Sequence, residues 1–215
     1  MKKLLSLLFA ALSSAVHGQD TTGVKKDSVL DRPWALYHAI EARLDTVFDD
    51  DQSGRRYIDT IARKYGLHSR KMDSLLKVMG NKDSMNLVKV TAILDKYGWL
   101  GIDDIGEKAN TALFIVIQHA DGDTAIQRKY LPMMRQAVKD GKAKADQLAL
   151  LEDRVLTNQG KPQIYGTQVH AGKNGKNVFF PISDERNVNK RRAAMGLDPL
   201  EVYARYFGID YHLPK

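Results

Sequence analysis

Residues 112–121 read Ala-Leu-Phe-Ile-Val-Ile-Gln-His-Ala-Asp, and this stretch decides the fold. It is apolar on every side as far as Ile117 and then becomes polar without a break. A helix that is apolar all round is buried, so we predict a central helix from about Asp104 to His119, with a core strand as the less favoured alternative. Such a helix delivers Gln118, His119 and Asp121 to the edge of the core, where polar groups need partners or water.

These polar residues form the first candidate site. His119 can act as a general base if a carboxylate holds its tautomer, and Asp121 is the nearest carboxylate in sequence. Arg154 or Gln168 would then stabilise negative charge. The alternative is a structural histidine that caps the helix.

Glycines that follow apolar segments predict helix ends on both sides of the central helix, because glycine accepts the left-handed backbone that ends a helix. Apolar residues at helical spacing predict a helix that starts at Asp31-Arg32-Pro33, followed by helices that end at Gly66, Gly80 and Gly98. We expect further helices at about 124–140, with a possible break at Pro132, and at about 143–157, 184–195 and 199–207.

Residues 163–170 and 177–182 have strand-like patterns, and Asn174-Gly175 between them is a strong hairpin turn signal. The predicted fold class is therefore mainly α, a single helical domain over residues 31–215 with one β-hairpin near 163–182. We find no internal repeat or coiled-coil heptad.

The N-terminus predicts export. Lys2 and Lys3 precede an apolar stretch, Leu4 to Val16, and small residues follow, so residues 1–18 resemble a signal peptide with cleavage after Gly18 or Ala15. The stretch is too short for an ordinary membrane span of about 20 residues, which makes a retained anchor the weaker interpretation. Residues 19–30 are polar and predict a flexible linker.

Removing the two lysines of the signal peptide lowers the net charge from +7 to +5. The absence of cysteine excludes disulfides, thiolate metal sites and a cysteine nucleophile. We expect a soluble periplasmic or secreted protein.

A second candidate site is Glu152-Asp153-Arg154. Glu152 falls in the apolar stripe of its predicted helix, whereas Asp153 and Arg154 lie beside and behind it. A carboxylate in an apolar stripe must be paired, protonated or part of a site. The alternatives are a fold-stabilising ion pair or a solvated face.

A third candidate is the run from Gln163 to Gln168. Strand alternation places Gln163, Tyr165 and Thr167 on one side, where their amide, phenol and hydroxyl groups can bind a polar ligand. Gly166 permits a bulge or a close approach by a ligand. The alternative is a solvent-facing polar strand.

Two further charged runs are weaker candidates. Residues 49–54 begin like a calcium loop, but Thr60 stands where a bidentate glutamate belongs, so a helix N-cap and turn is the favoured interpretation. Lys190-Arg191-Arg192 is a small basic cluster that we interpret as a solvated face, and with the mild net charge it does not predict nucleic-acid binding. No cofactor or metal ion is predicted.

Taken together, these residues resemble a bacterial family known only as a domain of unknown function. The resemblance runs from about Asp51 to Tyr203. The residues that carry it are Asp51-Gln52 with Arg55, Asn86, Tyr97-Gly98-Trp99, Gly106, Gln118-His119-Ala120-Asp121, Asp153-Arg154-Val155 and Gln163-Ile164-Tyr165-Gly166-Thr167-Gln168. It implies no reaction, cofactor or partner, but it favours Asp153 and Arg154 over Glu152 as the residues to test.

The leading hypothesis is an exported domain with a polar pocket. The catalytic candidates are His119, Asp121 and Arg154, and the ligand-binding candidates are Asp51, Gln52, Arg55, Gln118, Asp153, Gln163, Tyr165, Thr167 and Gln168. Three functions compete: a hydrolase of envelope or imported material, a non-catalytic module that binds a polar ligand or peptide, and a structural domain whose motifs form a buried hydrogen-bond network. The sequence does not indicate an oligomeric state.

Overall fold

The computed structural model describes residues 34–173 and 175–214. The predicted signal peptide (1–18), the predicted linker (19–30) and the predicted helix start at residues 31–33 lie outside the described residues, as does Asn174 of the predicted turn.

The described chain is mainly helical with one small hairpin, as predicted. Its helices are α1 (Trp34–Arg55), α2 (Ile58–Tyr65), α3 (Arg70–Tyr97), α4 (Ile102–Gln118), α5 (Thr124–Lys139), α6 (Ala145–Asn158), α7 (Val188–Ala194) and α8 (Leu200–Arg205). The strands β1 (Val169–Ala171) and β2 (Asn177–Phe179) pair antiparallel, and a 3₁₀ turn at Glu185–Asn187 precedes α7. No helix among the described residues is both long and apolar enough to cross a bilayer.

Helix α4 is the centre of the core. Every residue from Ala109 to Gln118 is buried, and α1, α3, α5 and α6 all pack against this helix. The predicted central helix is therefore confirmed. The first turn of α4 is set at an angle to the rest, because Gly106 has a φ of +76° that breaks the regular helix there. The buried segment ends at Gln118, so His119 lies at the edge of the core.

Two predicted helix boundaries are wrong. Gly80 does not end a helix, because α3 runs without interruption from Arg70 to Tyr97. Lys82 and Asp83, just after the glycine, bond to residues of α1, and these contacts hold the chain helical through a residue that disfavours helix. Pro132 likewise lies inside α5 without breaking it.

The predicted strand over residues 163–168 is also wrong. Regular strand pairing begins at Val169 and extends to Ala171, and these residues pair with β2. Before it, Gln163 makes an isolated bridge to Ile182. Strand alternation fails too, since Thr167 and Gln168 are both buried although they are neighbours. The cause is the carboxylate of Asp153, which takes the backbone N–H groups that a strand would give to a neighbouring strand.

Candidate functional site

His119 follows the last turn of α4 and is held by a carboxylate from α1. Its Nδ1 lies 2.9 Å from Oδ1 of Asp51. An ionised carboxylate only accepts hydrogen bonds, so Nδ1 carries a proton, and in the neutral ring Nε2 has the lone pair. No described residue makes a hydrogen bond to Nε2. The geometry thus favours Asp51, rather than Asp121, as the carboxylate that orients His119.

Asp51 is 1% exposed and is itself supported on both oxygens. Gln52 Nε2 donates to Oδ2 at 2.8 Å, and the Arg55 guanidinium lies 3.2 Å from Oδ1. Arg55 also makes two bonds to Asp83 of α3, at 2.9 and 3.0 Å. Burial raises the pKa of Asp51, but the charge that His119 carries when protonated, the hydrogen bond from His119 and the charge of Arg55 together outweigh burial and hold the pKa below its ordinary value. Asp51 is therefore ionised at neutral pH.

Residues 49–54 are neither a calcium loop nor an N-cap and turn, because they belong to the last turns of α1. Asp49 bonds Lys108 at 2.9 Å and Asp50 bonds Lys82 at 2.8 Å, so each aspartate of the run meets a different cation. These pairs offset the unfavourable placing of acids near a helix C-terminus. Among the described residues, no group of three His, Asp or Glu side chains is placed to hold a metal ion.

His119 lies between two hollows. The first, which we call the α3 cleft, has a volume of about 430 Å³ and is lined by residues that include Asp51, Asp83, Ser84 and His119. The second, which we call the glutamine cavity, has a volume of about 170 Å³. Its polar lining is Gln52, Thr111, Gln118, His119, Asp146, Gln147, Thr167 and Tyr203, and its apolar lining is Phe48, Phe114, Ile115, Leu150 and Leu197.

Two glutamines of this cavity carry unusual buried atoms. Nε2 and Oε1 of Gln118, and Oε1 of Gln147, are buried and have no hydrogen-bond partner among the described residues. The other amide atom of Gln147, Nε2, donates to Thr111 Oγ1 at 3.1 Å. A buried polar group without a partner costs about 1–3 kcal/mol, so these atoms mark a place that folding alone does not explain.

Asp121 belongs to a separate ion pair. Its Oδ2 lies 2.9 Å from Nη1 of the buried Arg154, and its Oδ1 accepts from Gln127 Nε2 at 3.3 Å. Gln127 Nε2 also donates to the backbone oxygen of Gln118. The charge of Arg55 acts on Arg154 as well, which places both arginines in one electrostatic neighbourhood. The Gln-His-Ala-Asp motif therefore ties α4 to α1 through its histidine and to α6 through its aspartate.

Asp153 is the anchor of the loop after α6. Its two oxygens accept from the backbone N–H groups of Ile164, Tyr165 and Thr167 at 2.6 to 3.1 Å, and from the Thr167 hydroxyl at 3.0 Å. Burial raises the pKa of Asp153, and these hydrogen bonds oppose the rise without cancelling it. All of these hydrogen-bond partners are donors, so they stabilise a carboxylate at this position. The side chain of Asp153 is fully buried and does not face a space for a substrate.

The rest of the Gln163–Gln168 motif completes the same loop. Gln163 Nε2 donates to the backbone oxygens of Gln168 and Phe180, and its Oε1 accepts from the Gln168 N–H at 2.8 Å. Gly166 has a φ of +71°, and a Cβ there would lie 2.9 Å from Leu200 Cδ1, so only glycine fits. The Gln163–Gln168 motif therefore forms a buried hydrogen-bond network, as the structural alternative in the sequence analysis predicts for it.

Glu152 is paired, as a carboxylate in an apolar stripe requires. Its Oε1 accepts from Arg135 Nε at 2.6 Å, and its Oε2 accepts from the Tyr165 hydroxyl at 3.0 Å. Burial, together with the charge of Glu152, raises the pKa of Tyr165 well above its ordinary value. Glu152 and Tyr165 line neither the α3 cleft nor the glutamine cavity.

Most of the predicted site residues meet, but in two groups. The first group surrounds His119 and lines or supports the two hollows: Asp51, Gln52, Arg55, Gln118, His119 and Thr167. The second group builds the loop and shares Thr167 with the first: Asp153, Gln163, Tyr165, Thr167 and Gln168. The ion pair of Asp121 and Arg154 lies between them, since Gln127 joins it to Gln118 and Arg154 follows Asp153 in α6.

Sequence reasoning missed three residues here. Tyr203 lines the glutamine cavity, donates to the Thr167 backbone oxygen at 3.0 Å, and has a pKa that burial raises to about 12. Arg192, expected on a solvated face, is fully buried; it donates to Tyr165 O at 2.7 Å and lies over the Tyr203 ring. Gln147 was missed as well. A polar residue within a helical pattern gave the only signal for each.

Comparison with known proteins agrees with the resemblance. A model described as a family of unknown function (DUF6624) matches residues 42–214, which extends past both ends of the predicted range. The match includes both groups of site residues. No curated protein and no solved structure shows a significant match to the chain. The chain belongs to DUF6624, a family of unknown function.

Proposed function

We propose that this protein is a hydrolase in which His119 is the general base and Asp51 orients it. One observation carries the proposal: the 2.9 Å bond from His119 Nδ1 to a buried carboxylate, at a histidine that lines both hollows. This bond leaves Nε2 as the basic nitrogen of the ring. A base held by a fixed carboxylate beside a space for substrate is the arrangement that general-base catalysis needs.

The chemical step uses only groups that this site contains. His119 Nε2 takes a proton from water while the water oxygen attacks an electrophilic carbon. The imidazolium that forms is stabilised by the charge of Asp51 and then returns its proton to the leaving group. Arg55 and Gln52 keep Asp51 ionised and in place.

The group that stabilises developing negative charge is best supplied by Gln118. The sequence pointed to Arg154 or Gln168, but Arg154 is bonded to Asp121, and Gln168 Nε2 donates to Leu150 O and Thr167 Oγ1. Gln118 Nε2 is a buried donor without a partner among the described residues, on the wall that it shares with His119. A donor of this kind is worth about 10²–10³ in rate when it meets a developing oxyanion.

The test is hydrolysis of a panel of p-nitrophenyl esters and p-nitroanilides by the wild type and three variants. His119→Ala and His119→Asn should both lose activity by about 10²–10⁴-fold. Asn keeps a donor near the Nδ1 position, so it separates loss of the base from loss of the contact to Asp51. His68→Ala is the matched control, because His68 is exposed and lies outside both hollows. If His119→Asn hydrolyses the panel as fast as the wild type, the proposal is overturned.

A second candidate function, binding without catalysis, is favoured by Gln118 and Gln147, whose unpartnered atoms suit a polar ligand. Under this alternative, His119→Asn keeps full biological activity while changes at Gln118 remove it.

The compartment is a further part of the proposal. The charged, apolar and small-residue pattern of residues 1–18 supports export to a periplasm or to the exterior, and a hydrolase there would act on envelope or imported material.

A further inference from the structure

The unpartnered atoms of the glutamine cavity form a defined set of hydrogen-bonding groups. They are one amide donor group, Gln118 Nε2, and two carbonyl acceptors, the Oε1 atoms of Gln118 and Gln147. Both residues are at least 96% buried and come from different helices, α4 and α6. On the Gln147 side the unpartnered atom is Oε1, since Nε2 donates to Thr111 Oγ1 at 3.1 Å.

The chemical complement of this set is a primary carboxamide. Its NH₂ group can donate to the two carbonyl acceptors, and its carbonyl oxygen, which has two lone pairs, can accept from the NH₂ group of Gln118. A carboxylate offers acceptors alone and would face two carbonyl oxygens and the nearby acid Asp146. An alcohol supplies a single O–H donor and leaves an acceptor unsatisfied.

The rest of the cavity suits an apolar body of limited size. Phe48, Phe114 and Leu150 line it beside the two glutamines, and its volume is about 170 Å³. An apolar cavity of about 150 Å³ is large enough to hold benzene. A single ring or a short branched chain therefore fits, whereas a sugar polymer or a folded peptide does not.

We propose that the glutamine cavity binds a small molecule that carries a primary carboxamide on an apolar ring or chain. The binding part of this proposal depends on Gln118 and Gln147. The claim that such a molecule is the substrate depends on the proposed function. Hydrolysis would consume one water, form a C–O bond, break the C–N bond and release a carboxylic acid and ammonia.

Benzamide is the probe, and binding to the full chain is measured by calorimetry and by the shift in melting temperature. The wild type should bind benzamide and not benzoate. Gln118→Met and Gln147→Met should each weaken benzamide binding by about tenfold or more, because each removes hydrogen bonds at similar side-chain volume. Gln159→Met is the control, since Gln159 is exposed and lies outside the cavity.

Stability supplies the second measurement. Gln118→Met should melt at or above the wild-type temperature without ligand, because it removes buried atoms that lack partners. No benzamide binding by the wild type, equal binding of benzoate, or full binding by Gln118→Met would each overturn the inference. The two proposals fail separately: binding without ammonia release removes only the substrate role, and ester hydrolysis without benzamide binding removes only the ligand.

Discussion

Two buried aspartates of this chain have different surroundings and, for that reason, different roles. Asp51 meets a histidine, an arginine and an amide at the wall of a cleft, so its charge can act on a group that changes protonation. Asp153 meets backbone N–H groups and a hydroxyl, so its charge shapes a loop. Burial is similar for both. The partners, rather than the exposure, assign Asp51 to the site and Asp153 to the fold.

We expect Asp153→Asn to destabilise the fold by about 2–4 kcal/mol. Asparagine retains one acceptor oxygen and turns an NH₂ group toward the N–H donors of the loop, so at least one buried donor loses its bond. Urea unfolding measures the effect. Asp210→Asn is the control because Asp210 is 95% exposed, and it should change stability by less than about 0.5 kcal/mol. Equal stability of the wild type and Asp153→Asn would contradict the anchoring role.

Asp51→Asn should make stability less dependent on acid pH. The pKa of Asp51 is lower in the folded state, so its ionised form stabilises the fold above the unfolded value of about 3.9, and this stability is lost as pH falls through the folded pKa. At pH 7 we expect the variant to be less stable by about 3 kcal/mol, with the difference shrinking below about pH 4.

The measurement is urea unfolding of both proteins between pH 7 and pH 3. A difference that stays constant over this range would mean that the charge of Asp51 contributes nothing to stability.

At this scale the sequence predicted residues that the structure brings together, but it did not predict their partners. The sequence predicts His119 because it ends an apolar helix, and it predicts Asp121 as the partner because Asp121 is two residues away. The actual partner, Asp51, is 68 positions distant and belongs to α1. Such pairing depends on how α1 packs against α4, which no local pattern encodes.

At the scale of single elements, α3 and the loop after α6 show when a glycine controls structure. Gly80 has helical backbone and open space around its Cα, and it lies within an unbroken helix. Gly166 has left-handed backbone and is packed against Leu200. Another residue can therefore replace Gly80, whereas the backbone and packing at position 166 require glycine.

Opposite effects are therefore expected for two alanine substitutions. Gly80→Ala should stabilise the protein by about 0.5–1 kcal/mol, since alanine restricts the unfolded chain and favours helix. Gly166→Ala should destabilise it by about 1–3 kcal/mol, through the positive φ and the clash with Leu200. Thermal unfolding of both variants checks the pair. Destabilisation by Gly80→Ala would contradict the continuous α3.

Periodicity predicted the helices well, and it failed where side chains bond to backbone. The spacing of apolar residues identified α1, α2, α4, α5 and α6 within a few residues. Residues 163–168 alternate like a strand, yet Asp153 captures their N–H groups. Alternation of polar and apolar residues predicts which side chains face a core. It gives no information about a carboxylate of another element that binds the backbone.

Over the whole molecule, the position of α4 explains where a site can form. Because α4 is surrounded by α1, α3, α5 and α6, its end brings together buried helix, acids of α1 and polar residues of α6. The mainly helical class followed from the sequence. The cavity between α4 and α6 did not, since it depends on which helix faces pack.

Export predicts a defined mature form. The full chain, expressed in a bacterial host with a periplasm, should be recovered from the periplasm or medium without residues 1–18, as intact-mass measurement will show. Cleavage after Ala15 would shift the N-terminus by three residues and keep the proposal. Recovery of the whole chain with its N-terminus intact in the cytoplasm would contradict it.

Chemical rescue tests the central claim most directly. We measure hydrolysis of the best panel substrate by His119→Ala with increasing imidazole, corrected for the rate that imidazole gives without protein. Because the missing ring leaves space beside Asp51, added imidazole should occupy it and restore part of the lost rate with saturation. Absence of any rescue, in a variant that folds as the wild type does and has lost its activity, would contradict His119 as the base, and so would a variant that keeps the wild-type rate without imidazole.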